Sequence, residues 1–109
     1  MTVNEVLARR IRDELGELPG LSEKRMFGGL AFLLNGNMAV GVHGDELIVR
    51  LDPGHTDAAL ARPGARLFEM GGRSMRGWLL VDRAALAAPG ALADWVAEGV
   101  EFAESLPPK

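Results

Sequence analysis

The stretch RMFGGLAFLLNGNMAVGV, residues 25–42, decides the fold of this chain. Two apolar runs flank the Asn-Gly pair at residues 35–36, which favours a type I′ turn because both central residues of that turn take positive φ angles. The stretch therefore predicts an antiparallel hairpin. The Phe-Gly-Gly step at residues 27–29 lies inside the first run, where glycine weakens a strand. We expect a β-bulge or a close backbone approach by a helix at Gly28 and Gly29, with Phe27 anchored in the core. A ligand contact is the alternative interpretation.

The apolar pattern on either side of this hairpin predicts the remaining elements. Residues 47–51 alternate as residues 38–42 do, so a third antiparallel strand follows the hairpin. Residues 3–15 and 92–106 instead repeat their apolar side chains at helical spacing. A short helix starts near Pro53, and two more strands flank residues 71–72. The prediction is a single α+β domain over residues 1–109, with two layers, a five-stranded antiparallel sheet packed by helices, and the order α-β-β-β-α-β-β-α.

Composition narrows the class of protein. The 109 residues include 48% hydrophobic side chains and no cysteine, which fits a folded domain without disulfides in a reducing compartment. No run approaches the roughly 20 apolar residues of a membrane span. Charged side chains interrupt the apolar positions near the N-terminus, so we expect no signal peptide. We therefore expect a cytoplasmic protein without a membrane segment.

The charge distribution suggests a candidate binding patch. The net charge is −3, yet residues 62–81 carry four arginines against one glutamate. If the first and last strands lie close in space, Lys24 and Arg25 join Arg73 and Arg76 in one basic patch. Several cations on one surface can contact phosphates, but the negative net charge argues against tight nonspecific DNA binding.

The Gly-Gly pair at residues 71–72 has two interpretations. Paired glycines let backbone N–H groups turn toward an anion, and Arg73 and Arg76 add positive charge. Alternatively, the pair is a hairpin turn and both arginines are solvated. The segment lacks the spacing and the lysine of a P-loop.

No catalytic or metal-binding constellation is present in the sequence. His43 and His55 lack the spacing of a metal motif, so we expect solvated histidines at the surface. Ser22, Thr56 and Ser74 are hydroxyl side chains outside any nucleophile-elbow motif, and Thr56 is more simply a helix cap. We therefore expect no catalytic residue, no metal and no cofactor.

Four segments together resemble the TfoX/Sxy N-terminal domain family over about residues 4–107. They are KRMFGGLAFLLNGNMAVGV at 24–42, RL at 50–51, MGGRSMRGWLLVD at 70–82 and LADWVAEGVEFAESLP at 92–107. The family typically has a Met-Phe-Gly-Gly step entering the sheet, a Trp on the last strand and a second Trp on the following helix. The matching positions are Met26, Phe27, Gly28, Gly29, Trp78 and Trp95.

The resemblance implies a fold and a process. The implied fold is the α-β-β-β-α-β-β-α order already predicted. The implied process is regulation of natural competence, in which better-known members act as transcriptional co-regulators and carry a second, C-terminal domain. This chain ends at Lys109, so we expect a stand-alone N-terminal domain. The resemblance supplies no catalytic residues.

Small side chains in the hairpin suggest a surface for interaction. Gly29, Ala31 and Leu33 share one face of their strand, and Ala39 and Gly41 share one face of the next. If these faces coincide, they must be covered by a helix or used as an interface. The sequence thus favours a non-enzymatic regulatory or interaction domain with a protein partner, including a homodimer through this face or a sheet edge. The alternative is a ligand- or nucleic-acid-binding module that uses the arginine patch.

Overall fold

The computed structural model describes residues 4–26, 28–70 and 72–109, and it has six strands and four α-helices within those ranges. A 3-10 turn at Pro53–His55 precedes the second helix. The elements in chain order are α1 (Glu5–Leu15), β1 (Leu21–Met26), β2 (Gly29–Leu34), β3 (Asn37–His43), β4 (Glu46–Arg50), α2 (Thr56–Leu60), β5 (Ala65–Met70), β6 (Arg73–Val81), α3 (Arg83–Leu86) and α4 (Ala91–Ser105).

The strands form one antiparallel sheet in the order β1-β2-β3-β4-β6-β5. The predicted α+β class is confirmed, but the sheet has six strands instead of five. The additional strand is β1, whose four central residues are polar or charged and exposed. A strand without apolar alternation gives no periodic signal in the sequence. Its charges suit an edge strand, because they discourage pairing with another chain.

The Phe-Gly-Gly step joins β1 to β2 instead of interrupting one strand. Met26 pairs with Gly29, so the two strands form a hairpin, and Gly28 has a φ of +70° in the left-handed region. A Cβ on Gly29 would lie 2.0 Å from the carbonyl oxygen of Val42. The predicted close approach therefore exists, and the backbone of strand β3 makes it where a helix was expected. The predicted core position of Phe27 lies outside the described residues.

Short polar caps fix where the helices begin. The Asn4 side chain accepts a hydrogen bond of 3.0 Å from the backbone N–H of Leu7 at the start of α1. Asp82 accepts one of 2.9 Å from Ala85 at the start of α3. Such caps satisfy N–H groups that lack a partner in the first turn. No helix in the described ranges is both long and apolar enough to cross a membrane.

The main core lies between one face of the sheet and the helices. Helix α4 approaches β3 closely, since a Cβ on Gly99 would lie 2.4 Å from the carbonyl oxygen of Ala39. The buried residues that helices contribute to this core are Leu7, Ala8, Ile11, Leu15, Ala59, Leu86, Leu92, Trp95 and Val96. The buried residues that strands contribute are Phe32, Val40, Val42, Leu47, Val49, Leu79 and Val81.

A large bulge in β6 shapes one end of the sheet. Leu67 pairs with Leu79, whereas Glu69, only two residues later, pairs with Ser74, so extra residues of β6 loop out between them. Gly77 lies in this bulge with a φ of +84°. Its N–H donates to the Thr56 hydroxyl at 2.9 Å, and that buried hydroxyl donates onward to a carbonyl of the 3-10 turn. The bulge is therefore tied to α2.

Candidate functional site on the open face of the sheet

The second face of the sheet carries an apolar cluster to which no described helix contributes. Five residues at its centre are each between 0% and 8% exposed: Ala31, Met38, Ile48, Phe68 and Leu80. Four partly buried side chains pack around this centre: Met26, Leu33, Met75 and Trp78. We call the surface formed by these nine residues the open face. The opposite surface, which packs against the helices, is the covered face.

The predicted small-residue surface lies on the open face, with one difference. Ala31 pairs with Gly41 across β2 and β3, and Ala31 belongs to the open-face cluster. Ala39 instead packs beside α4, because the register shifts between residues 32 and 33. A Cβ on Gly41 would lie 2.7 Å from Cε of Met38, so the methionine side chain fills the space over the glycine. The surface is therefore an apolar cluster with a buried centre.

The four cations of the predicted patch do not share one surface. Strands β1 and β6 are separated by three strands, whereas the prediction required them to be close. On β1, Lys24 pairs with an open-face residue, while Arg25 pairs with a residue that packs against the covered-face core. Arg76 lies 3.4 Å from Asp57 of α2, and Arg73 begins β6. The condition for a single patch is thus not met.

The segment around the Gly-Gly pair agrees with the hairpin interpretation. Met70 pairs with Arg73 at the ends of β5 and β6, and Gly72 has a φ of +81°. Gly71 lies outside the described residues. Arg73 and Arg76 both lie on strand β6, not in the turn that contains the glycines.

Arg50 ends β4, and its guanidinium lies close to two aromatic rings. Its Cζ is 5.1 Å from the ring centroid of Trp78 and 5.4 Å from that of Phe102. Trp78 is its register partner on β6, whereas Phe102 comes from α4. Ile48, two residues earlier, belongs to the open-face cluster, so Arg50 lies at the border of the open face. Both distances are within the range of cation–π attraction.

Arg50 differs electrostatically from other arginines of the domain. Burial lowers the pKa of Arg50 below its ordinary value, and no neighbouring carboxylate counters that effect. By contrast, hydrogen bonds to Glu23 raise the pKa of Arg12, and a hydrogen bond to Glu46 raises the pKa of Arg66. Arg50 is therefore a partly desolvated cation without a counterion among the described residues.

A second arginine–tryptophan contact lies on the covered side. Cζ of Arg62 is 3.5 Å from the ring centroid of Trp95, and the Arg62 guanidinium forms an ion pair with Glu98. Trp95 is only 2% exposed and belongs to the main core, as its helical spacing predicted. The guanidinium of Arg62 thus has both an aromatic ring and a carboxylate as partners within the chain.

The two histidines occupy different environments. His55 is exposed, in agreement with its predicted position at the surface. His43 is partly buried instead, because its ring packs edge-on against Phe68 at 6.0 Å between centroids. The described residues contain no group of three or more His, Cys, Asp or Glu side chains that could hold a metal ion.

Comparison with family models gave a match over most of the chain. The model of the TfoX N-terminal domain matches residues 13–103. The chain belongs to the TfoX N-terminal domain family. The resemblance inferred from the sequence is therefore confirmed. No curated protein and no solved structure matched the chain.

The motif residues of this TfoX N-terminal domain contribute to both faces of the sheet. Met26 and Trp78 pack at the edge of the open-face cluster, and Trp95 is buried under the covered face. Gly28 and Gly29 shape the β1–β2 hairpin.

Sequence reasoning missed Arg50 as a candidate functional residue. The available signal was its position in β4, where it follows Ile48 on the same face of a strand whose three central residues are apolar. Its ring partners come from β6 and α4, which are far away in sequence. Only the folded arrangement brings Trp78 and Phe102 to the guanidinium.

Proposed function

We propose that this TfoX N-terminal domain is a non-enzymatic regulatory domain that binds another protein through its open face. The observation that carries the proposal is an apolar cluster on a sheet face to which no described helix contributes. A sheet normally buries its apolar face against a second layer or a partner. Because Met26, Leu33, Met75 and Trp78 are only partly buried, a partner has apolar surface left to cover.

The chemistry of the exposed border supports a protein as the partner. Methionine and aromatic side chains are enriched in protein interfaces, and methionine adapts to differently shaped surfaces. Three of the four border residues are of these types: Met26, Met75 and Trp78.

Family membership supports the regulatory part of the proposal. The TfoX/Sxy proteins that the sequence resembles act as transcriptional co-regulators in natural competence. We place this domain in the same class of process, in the cytoplasm, where a chain without cysteine suits a reducing compartment.

The placement of the cations weighs against nucleic acid as the main partner. Binding to a phosphate backbone depends on several cations that act on one surface. Here Lys24 and Arg25 project to opposite faces of β1, and Arg76 has Asp57 as a counterion.

A pair of variants tests the proposal. Met75→Glu places a charge at the border of the open face, whereas Val6→Glu places one on α1, where Val6 is already 71% exposed. In affinity capture from the native cell, we expect wild type and Val6→Glu to retain a protein that Met75→Glu loses. Met26→Glu provides a second open-face variant, and thermal unfolding verifies that each variant is folded.

Two results would contradict the proposal. One is retention of the same proteins by folded open-face variants and by wild type. The other is a salt-sensitive mobility shift of DNA or RNA by the domain, together with capture of no protein at the same concentration of the domain. If the partner is a second copy of the chain, mass measurement in solution shows a homodimer for wild type. Met75→Glu is then expected to be a monomer.

A further inference from the structure

Arg50 differs from the arginines that form ion pairs within the chain. Five arginines of the described residues have a carboxylate oxygen within 4 Å: Arg12, Arg62, Arg66, Arg76 and Arg83. Arg50 is partly buried and has no such partner among the described residues, nor a hydrogen bond to its side chain. Its side chain therefore has unused hydrogen-bonding capacity.

The two aromatic rings near the guanidinium leave its N–H donors available to an acceptor. A guanidinium is planar and carries five N–H donors around its edge, while its flat faces suit contact with aromatic rings. Trp78 and Phe102 contact Arg50 from two different elements and restrict its side chain. A restricted arginine loses less conformational entropy when it forms a hydrogen-bonded pair.

The charges near Phe102 discriminate between classes of anion. A small cavity of about 130 Å³ beside this ring is lined by Asp52, Glu98 and Glu101, among others. Glu98 is already paired with Arg62, so the repulsion of a phosphate backbone comes from Asp52, Glu101 and the net charge of −3. A single carboxylate on an otherwise apolar segment meets much less repulsion, and it matches the fork of one arginine.

We infer that Arg50 binds the carboxylate of an Asp or Glu side chain in an apolar segment of the partner protein. The inference rests on the proposed function, since it names the chemistry that the open face recognises at its border. The segment covers the partly exposed side chains of Met75 and Trp78, while its carboxylate pairs with the guanidinium.

Arginine side-chain NMR tests this inference directly. The probes are two peptides, acetyl-Leu-Glu-Leu-amide and acetyl-Leu-Gln-Leu-amide, titrated at constant ionic strength. The Nε–Hε signals of Arg50 and Arg62 are assigned with Arg50→Gln and Arg62→Gln. We expect a saturable shift of the Arg50 signal by the Glu peptide, with affinity about tenfold or more above that of the Gln peptide. Arg62, which already has Glu98, serves as the internal control and does not shift.

Several results of the titration would overturn the inference. They are an unshifted Arg50 signal, equal shifts with both peptides, and equal responses of Arg50 and Arg62. Tighter binding of inorganic phosphate or of a short DNA duplex to Arg50 would assign the residue to a phosphate ligand instead.

Partner capture separates this inference from the proposed function. If Met75→Glu and Arg50→Gln both lose the captured protein, both ideas are supported. If Met75→Glu loses the protein and folded Arg50→Gln retains it at wild-type level, the carboxylate inference fails and the proposed function stands. If both folded variants retain it, the proposed function fails.

Discussion

Two arginine–tryptophan contacts distinguish the two faces of this sheet. On the covered side, Arg62 contacts the buried ring of Trp95 and pairs with Glu98. At the border of the open face, Arg50 contacts Trp78, which is only partly buried, and has no carboxylate among the described residues. The first contact is complete within the chain. The second has no anion among the described residues, and it lies where no described helix contributes to the apolar cluster. We therefore propose that the covered face serves stability and the open face recognition.

The largest expected difference between the faces is in stability. Trp95→Ala should reduce the free energy of unfolding by about 3–5 kcal/mol, because it removes a large ring from the closed core. Trp78→Ala should reduce it by only about 1–2 kcal/mol, because the ring is partly exposed and leaves no closed cavity. Urea unfolding of both variants measures the two values. Equal losses would mean that both faces are core.

The close approach of α4 gives a second test of the covered face. Gly99→Ala introduces a Cβ about where the Ala39 carbonyl oxygen lies, at 2.4 Å, and should destabilise the domain by about 1–3 kcal/mol. Gly54→Ala is the matched control, because its Cβ has only the Asp52 side chain nearby, at 3.3 Å. Thermal unfolding compares the two variants. A Gly99→Ala protein as stable as the control would show that α4 does not pack closely on β3.

A third prediction concerns a variant that gives Arg62 the same surroundings as Arg50, an aromatic ring without a carboxylate. Glu98→Gln removes the carboxylate from Arg62 but leaves the Trp95 ring in place. Since the pair is partly solvated, we expect a loss of stability of about 0.2–1 kcal/mol. We also expect the Arg62 Nε–Hε signal to begin responding to the Glu peptide. If it stays unresponsive in the folded variant, a missing carboxylate alone does not create a binding arginine.

The smallest expected effect concerns pH and the pairing of Arg12 with Glu23 near the edge strand. The hydrogen bond from Arg12 lowers the pKa of Glu23 below its ordinary value of 4.5. The pair therefore contributes stability above that value and loses it as pH falls through the lower, folded-state pKa. Urea midpoints between about pH 6 and about pH 3 should fall more steeply for wild type than for Glu23→Gln. Identical slopes would show that the pair contributes nothing.

Much of the fold is predictable from the sequence because its signals are local. The Asn-Gly turn, the alternation in β3 and β4 and the helical spacing around Trp95 all report on neighbouring residues. That β1 is a separate strand was not predicted, since Lys24 and Arg25 were expected to enter the first strand of the hairpin. A charged edge strand forms through pairing with β2 and shows no apolar period.

The candidate site was predictable only in part, because it depends on long-range packing. Gly29, Ala31 and Leu33 indicated an apolar surface, and the structure places it on the open face. The order of the strands, which separates β1 from β6, is not a local property, so the sequence alone could not show that the condition for a single basic patch is not met. The setting of Arg50 also depends on contacts with distant elements.

Site-specific photo-crosslinking is the most direct test of the central claim, that the open face is the contact surface for a protein partner. The photoreactive residue p-benzoylphenylalanine replaces Met75 on the open face or, as the control, Val6 on the outer side of α1. We predict that irradiation in the native cell links position 75 to a discrete protein and leaves position 6 without that adduct. Adducts of the same protein from both positions, or from position 6 alone, would contradict the claim.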